Sequence, residues 1–366
     1  MIRQLTSRLN RRNPGICHDV KGWALEHKCE VDVLRPSETV ERALPLPPEK
    51  CPEAFVRDQV FQTNERFTAE LEGARLCGYE GFVVLPDGQF AFDYNTSYDP
   101  FITQHPMYFQ RWSKGVRRED WSGSYYSIVG KFCREHYHWL HDSLGQLHQV
   151  VDLLPAETRV VIPDGLSGSQ LRLLDAVGVP EGKRSILPSN SIVRLERLLF
   201  IPPACPTRFD EQQSSCWLRS ALRKSWTCSA RGNRVIYVSR RKARSRRVLN
   251  ESRLLRLLAD FDAEVVCLEE IGLDEQIDLF SQCRVVVAPH GAGLTNVIFS
   301  EPGLSVVEIG CKPFDGRTHY WSMAEALGHA YHLIEGQPVP VAEGDCDIEL
   351  PEHSIIELGE LLIACA

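Results

Sequence analysis

Short apolar runs without polar alternation recur along the second half of this chain, and helix-length segments separate them. The predicted strands are Val235–Ser239, Glu264–Leu268, Val285–Ala288, Val306–Ile309 and Tyr331–Ile334. The predicted helices between them are Glu251–Phe261, Asp274–Gln282, Leu294–Ser300 and His319–Leu327. A strand that is apolar on both faces is covered on both faces, and helical crossovers join parallel neighbours. The pattern predicts an α/β fold whose parallel sheet binds ligands at the carboxyl ends of its strands.

The first half of the chain is also predicted to be α/β. The predicted helices are Arg134–Leu154 and Ser169–Ala176. The predicted strands are Arg159–Ile162, Leu198–Ile201 and a hairpin made of Glu80–Leu85 and Gln89–Tyr94. A chain of 366 residues suits two domains, and Pro202, Pro203 and Pro206 mark the boundary between them. We therefore predict domains at residues 1–205, with an irregular and partly β N-terminal portion, and 206–366.

Composition excludes several classes of protein. The net charge of −8 disfavours binding of nucleic acid by the whole chain. Thirteen cysteines without a C-x-x-C pair indicate reduced thiols in a cytoplasmic protein. The chain has no run of 18 apolar residues, so no membrane span is expected. A short basic amphipathic stretch at residues 2–12 allows at most peripheral contact with a membrane.

A glycine-rich loop follows the strand Val285–Ala288 and opens a helix. Glycine lets the backbone approach a ligand closely, and the N-terminus of a helix attracts anions. Its candidate anion-binding residues are His290, Gly291, Ala292, Gly293 and Asn296. A tight turn around a buried histidine is the alternative, because a lone glycine loop is weak evidence.

A run of basic residues follows the strand Val235–Ser239. Six of the eight residues from Arg240 to Arg247 are Arg or Lys, and guanidinium groups bind a diphosphate bidentately. Asn250 is either a further ligand or the N-cap of the next helix. Glu308, at the end of another strand, is either an acceptor for ribose hydroxyls or part of a structural salt bridge.

A histidine cluster in the first half is the candidate for proton transfer. His138 and Asp142 are separated by four positions and share a helix face, with His141 beside them. Such groups serve as a general base, bind a divalent metal or are solvated surface residues. The sequence leaves these three interpretations open.

Taken together, these motifs resemble glycosyltransferase family 61, over about residues 125–335. The matching positions are His138–Trp139–Leu140, Asp142, Tyr237–Arg240, Ala243, Arg247, Asn250–Glu251, Glu275–Gln276, Pro289–Asn296, Phe299 and Glu308. The resemblance implies a GT-B fold, in which two Rossmann-like domains face each other across a cleft. It also implies an inverting, metal-independent transfer of a sugar from a UDP-sugar to a saccharide acceptor, as in bacterial capsule synthesis, with no cofactor.

The resemblance implies a role for each candidate residue. Asp142 or His138 is the predicted base, and His136, Trp139 and His141 lie on the acceptor side, in domain 1–205. The predicted ligands of the donor nucleotide, all in domain 206–366, are Arg240, Arg247, Asn250, His290, Gly291, Ala292, Gly293, Asn296 and Glu308.

Two other functions remain as alternatives. A metal-dependent hydrolase would use His138, His141 and Asp142 as metal ligands. A non-catalytic binder of anionic polymers would use the basic run from Arg240 to Arg247.

Overall fold

The structure is a computed structural model, and it describes residues 15–45, 51–78, 80–92, 115–148, 150–205, 209–226, 232–311, 317–342 and 345–365. The predicted basic stretch at residues 2–12 and Pro206 at the predicted domain boundary lie outside these residues. In the described part of the chain, no helix is long and apolar enough to cross a bilayer.

The regular elements are numbered in chain order. The strands are β1 Ile16–Cys17, β2 Val31–Arg35, β3 Thr39–Glu41, β4 Val60–Gln62, β5 Arg66–Glu72, β6 Arg75–Cys77, β7 Phe82–Val84, β8 Phe90–Ala91, β9 Arg117–Ser127, β10 Arg159–Pro163, β11 Arg184–Leu187, β12 Ser191–Phe200, β13 Arg234–Val238, β14 Glu264–Val266, β15 Cys283–Pro289, β16 Ser305–Cys311, β17 Ala330–Ala342 and β18 Asp345–Glu349. The α-helices are α1 Val20–Glu26, α2 Glu53–Asp58, α3 His136–His138, α4 Gly168–Ala176, α5 Gln212–Ser225, α6 Glu251–Ala259, α7 Leu273–Ser281, α8 His319–Ala326 and α9 Glu352–Ala364.

The chain forms two compact units. The first comprises Met1–Glu38 and Thr63–Thr207, and the second comprises Thr39–Gln62 and Arg208–Ala366. The predicted domain boundary at residue 205 stays a prediction. The units differ from it because residues 39–62 belong to the second unit, where Arg42 lies 4.2 Å from the ring centroid of Phe61 and the hydroxyl of Thr318 donates to Asp58 at 2.7 Å.

The first unit is built on a mixed sheet. The strand order along its main path is β1-β8-β7-β6-β12-β9-β10-β11, and β5 pairs with both β12 and β2. The pairs β12–β9, β9–β10 and β10–β11 are parallel, whereas β5 and β6 are antiparallel to β12. The predicted hairpin is confirmed, since β7 and β8 pair around the turn that contains Asp87. The unit is α/β, with the parallel strands β12, β9, β10 and β11 at one end of the sheet and the short parallel pair β1–β8 at the other.

The second unit contains the parallel sheet that the sequence predicts. Its order is β14-β13-β15-β16-β17-β18, and every neighbouring pair is parallel except β17–β18. The central strands are buried runs of valine, as non-alternating apolar segments require. Tyr237, Val287 and Val307 pack with Leu254 of α6 and Leu358 of α9. The carboxyl ends of β13, β15 and β16 therefore lie along one edge of this sheet.

The predicted helix Arg134–Leu154 is confirmed only over residues 136–147, and there in mixed form. The segment forms only the one-turn helix α3, a π-helical turn at Trp139–Leu144 and a 3₁₀ turn at Gly145–Leu147. The helix ends there because His148 has an extended ψ of 129°. The spacing of the buried residues Tyr137, Leu140, Leu144 and Leu147 fits a helical segment but does not distinguish an α-helix from π and 3₁₀ turns. The predicted helix at Leu294–Ser300 is likewise a 3₁₀ helix, Ala292–Phe299.

Candidate active site

The arginine run and the glycine loop meet at the carboxyl edge of the second unit's sheet. Strands β13 and β15 are direct neighbours, so Arg240 and Gly291 leave the sheet side by side. A Cβ atom added to Gly291 would lie 2.8 Å from Cζ and 3.4 Å from Nε of Arg240. A side chain at position 291 would therefore displace the guanidinium group, and glycine allows this close approach. The structure brings together the two segments that the sequence predicted to converge.

Arg240 is a cation with little local neutralisation. Its guanidinium group donates to the carbonyl oxygen of Ser245 at 3.2 and 3.4 Å, and it forms no ion pair among the residues that the structure describes. Burial lowers the pKa of Arg240, and the charge of Arg246 lowers it further. A half-buried guanidinium group without a carboxylate partner can bind an anion with little competition from the protein.

One further arginine near this edge, Arg317, was missed by the sequence analysis. Burial and the charge of Arg246 also lower the pKa of Arg317, which directly precedes Thr318 at the start of α8. Arg246 itself lies 3.3 Å from Asp345. Arg317 is isolated in the sequence, so no run of charge could have pointed to it.

The other arginine predicted to bind the diphosphate has a structural role. Arg247 forms an ion pair with Asp347 of β18 at 2.5 Å, and its backbone N–H donates to the same carboxylate at 3.0 Å. The side chain of Asn250 donates to the carbonyl oxygen of Leu350 and accepts from its N–H. Asn250 is the N-cap residue of α6, as one of its two predicted roles requires, but its side chain makes no cap hydrogen bond and instead joins α6 to the chain after β18.

The basic run is not a continuous cationic surface. Arg241 and Lys242 pair with Glu270, Arg246 with Asp345 and Arg247 with Asp347. Three carboxylates therefore pair with four of the six basic side chains, which interrupts the surface that an anionic polymer would need. The structure therefore gives no support to the polymer-binding alternative.

His290 and Glu308 form a buried pair behind the glycine loop. Nδ1 of His290 bonds to one oxygen of Glu308, and the hydroxyl of Tyr331 donates to the other at 2.7 Å. Burial and the Glu308 carboxylate raise the pKa of Tyr331, so this hydroxyl stays protonated. Glu308 is 2% exposed and uses both oxygens, so it orients His290 and does not fit the predicted ribose contact. The alternative of a structural charge pair fits it better.

The remaining loop residues shape the backbone near Arg240. Asn296 is fully buried, and its amide donates to Gln276 at 2.7 Å. Ala292 is exposed at the start of the 3₁₀ helix. A Cβ atom on Gly293 would lie 3.2 Å from a methyl group of Val238, so glycine fits where the loop packs on the end of β13. Asn296 thus anchors the loop through a buried hydrogen bond to Gln276, whereas Ala292 and Gly293 are more exposed to solvent.

The ion pair between Arg247 and Asp347 should contribute to the thermal stability of the protein. The hydrogen bond and charge of Arg247 hold the pKa of Asp347 below its usual range. The stabilisation is therefore complete above the unfolded-state pKa of about 4 and is lost as pH falls through the lower folded-state pKa. We expect Asp347→Asn to lower the melting temperature by roughly 3–6 °C at pH 7 and by less below pH of about 4. Glu270→Gln, which breaks an exposed pair, should have little effect at either pH; equal shifts for both variants would contradict this assignment.

The candidate base lies in the first unit. Nδ1 of His138 is 2.6 Å from Oδ2 of Asp142, and the two side chains are 21% and 26% exposed. A carboxylate that accepts from Nδ1–H fixes the imidazole tautomer and leaves Nε2 to accept a proton. This geometry favours His138 as the base and Asp142 as the residue that orients it.

The π-helical turn positions this pair. The N–H of Gly145 bonds to the carbonyl oxygen of Leu140, five residues earlier, which widens the turn that carries Asp142. The amide of Gln146 donates to the main-chain oxygen of Asp142 and holds the turn from the other side. Such turns are frequent at functional sites.

The other predicted acceptor-side residues differ in exposure. Trp139 is fully buried, so an acceptor contact does not fit it. The ring of His141 stacks on Tyr137 with centroids 4.9 Å apart, and His136 is half-buried in α3. Among the described residues, which include all three proposed ligands, no group of three His, Cys, Asp or Glu side chains is arranged to hold a metal ion. The hydrolase alternative therefore loses its predicted ligand set.

Part of the chain matches a protein-family model. The family model described as Glycosyltransferase 61 matches residues 136–307, just under half of the chain. Across these residues the chain belongs to glycosyltransferase family 61. The matched span begins with α3, includes the His138–Asp142 pair and Arg240, and ends one residue before Glu308.

The match to this family model indicates that the protein is a glycosyltransferase. A glycosyltransferase needs a donor and an acceptor, so binding groups for both are required. No curated protein shows a significant match to the chain. The specific substrates must therefore be argued from the residues of the site.

Proposed function

We propose that the protein is an inverting glycosyltransferase that moves a sugar from a UDP-sugar to a hydroxyl group of a saccharide acceptor. The observation that carries this proposal is the position of Arg240 against Gly291 at the carboxyl edge of the parallel sheet. Doubly wound sheets bind nucleotides at this edge, and a guanidinium group beside a glycine turn suits a diphosphate. Cytoplasmic location, a role in bacterial polysaccharide synthesis and a GT-B arrangement of two domains belong to the same proposal.

The reaction is a single displacement at the anomeric carbon. His138 Nε2 takes the proton from the acceptor hydroxyl, while Asp142 holds the imidazole through Nδ1–H. The acceptor oxygen forms a bond with the anomeric carbon as the bond from that carbon to the β-phosphate oxygen breaks. The electron pair leaves with UDP, whose growing negative charge Arg240 stabilises. One displacement inverts the configuration of that carbon.

The proposal includes transfer without a bound metal. Arg240 and Arg317 carry positive charge near one edge of the sheet, where a leaving diphosphate needs it. Direct charge–phosphate bonds of this kind replace the electrostatic part of a metal ion's contribution. Activity that persists in excess EDTA would support this part of the proposal.

A nucleotide panel tests the proposed donor. Thermal unfolding is measured with UDP, GDP, CMP and UDP-sugars, each in EDTA, because a ligand that binds only the folded state raises the melting temperature. We expect UDP and at least one UDP-sugar to stabilise the protein most. Stabilisation by GDP or CMP alone, or by no nucleotide, would overturn the assignment.

A further inference from the structure

An exposed aromatic ring lies beside the proposed base. Phe132 is 45% exposed, and its ring centroid is 5.1 Å from that of His138 at an angle of 39°. Nζ of Lys131 lies 4.8 Å from the same ring centroid. Sites that bind small ligands combine aromatic side chains with a few placed polar groups.

The backbone of Phe132 adopts a conformation that is energetically unfavourable for a bulky residue. Its φ of +60° is in the left-handed region, which bulky residues rarely occupy. The turn is held by the N–H of Glu135, which donates to the carbonyl oxygen of Phe132 at 2.7 Å. Glycine or asparagine would adopt this conformation more readily, and an exposed ring recovers little through burial. A strained aromatic residue beside reactive groups points to a functional role for the ring.

We propose that Phe132 is the surface on which a pyranose ring of the acceptor stacks. The C–H groups of one sugar face carry partial positive charge and suit the negative face of an aromatic ring. Stacking there would hold an acceptor hydroxyl near His138, whose ring is in contact with Phe132. The inference rests on the proposed glycosyl transfer, since it takes His138 as the base.

Substitutions at Phe132 distinguish the effect of removing the aromatic ring from the effect of destabilising the fold. Phe132→Gly removes the ring and relieves the left-handed backbone, so its melting temperature should equal or exceed that of the wild type. Phe132→Tyr keeps an aromatic face. Leu153→Ala is the matched control, because Leu153 is another exposed apolar residue of the same unit, 53% exposed.

Binding is measured by saturation-transfer NMR with four methyl β-glycosides, those of glucose, galactose, xylose and N-acetylglucosamine, in the presence of UDP. We expect at least one to bind the wild type, and Phe132→Gly to weaken its binding by about 5- to 10-fold. Phe132→Tyr and Leu153→Ala should stay within about twofold of the wild type. UDP affinity, measured in parallel, tests the proposed function separately.

Three outcomes would overturn the stacking proposal. The first is wild-type protein that binds UDP but none of the glycosides. The second is Phe132→Gly that binds glycoside as the wild type does. The third is a Phe132→Gly variant that loses kcat while its KM for the acceptor glycoside is unchanged, which would make Phe132 a positioning residue for His138. Wild-type protein that does not bind UDP would contradict the proposed function itself.

Discussion

His138→Ala should lower kcat by about 10²- to 10⁴-fold while leaving UDP affinity within about twofold of the wild type. The imidazole is the group left with an open proton-accepting nitrogen when Asp142 bonds to Nδ1. Removal of the imidazole eliminates the group that accepts the proton but leaves the proposed diphosphate ligands in place. Rates of UDP release and of glycoside formation, with titration of UDP in parallel, measure both quantities.

Asp142→Asn tests which member of the pair is the base. An asparagine can donate to Nδ1 and so favours the wrong imidazole tautomer, which in related His–carboxylate pairs costs about 10⁴-fold in kcat. We therefore expect Asp142→Asn to be almost as inactive as His138→Ala, and the double variant to be little worse than either single one. Strong activity in His138→Ala together with inactivity in Asp142→Asn would make Asp142 the base. His148→Ala, ten residues along the chain, is the histidine control.

The sequence predicted the sheet of the second unit because its signal is local. Apolar runs such as Val285–Ala288 are bounded by turns and joined by helices, so both strand and crossover can be read without knowledge of distant partners. The sequence placed Arg240 and Gly291 after strands of one sheet, and the structure shows that these strands, β13 and β15, are direct neighbours. The same reasoning failed at Arg134–Leu154, because a π-helical turn has no spacing signature distinct from that of a buried helix.

The roles of single charged residues could not be predicted in the same way. Arg247 pairs with Asp347 of β18, which is 100 positions away in the sequence. Glu308 is bound by His290 and Tyr331 from neighbouring strands, and Asn250 by the main chain of Leu350. These partners are distant in the sequence and are brought together only by the folded chain. The motifs therefore predicted which edge of the sheet carries the site, whereas the hydrogen-bond partners of the side chains at that edge depend on the folded structure.

Arg240→Ala should weaken UDP binding by about 10- to 100-fold without destabilising the protein. Among the described residues, Arg240 donates to the carbonyl oxygen of Ser245 and to no carboxylate, so its removal leaves no carboxylate there unpaired. Removal of a half-buried cation that lies near Arg246 should leave the melting temperature of the ligand-free protein unchanged or higher. Calorimetric titration with UDP and thermal unfolding without nucleotide measure the two effects.

Arg247→Ala is the matched control, because it removes the same charge from the same run. Arg247 is paired with Asp347, which is 1% exposed, so this variant should lower the melting temperature and change UDP affinity less than Arg240→Ala does. Gly291→Ala supplies an independent test: its added methyl group would displace the Arg240 guanidinium and should weaken UDP binding while Arg240 is still present. If Arg240→Ala and Gly291→Ala both bind UDP as tightly as the wild type, the diphosphate does not lie at this edge of the sheet. The opposite pattern, with affinity lost at Arg247 and retained at Arg240, would move the site towards β18.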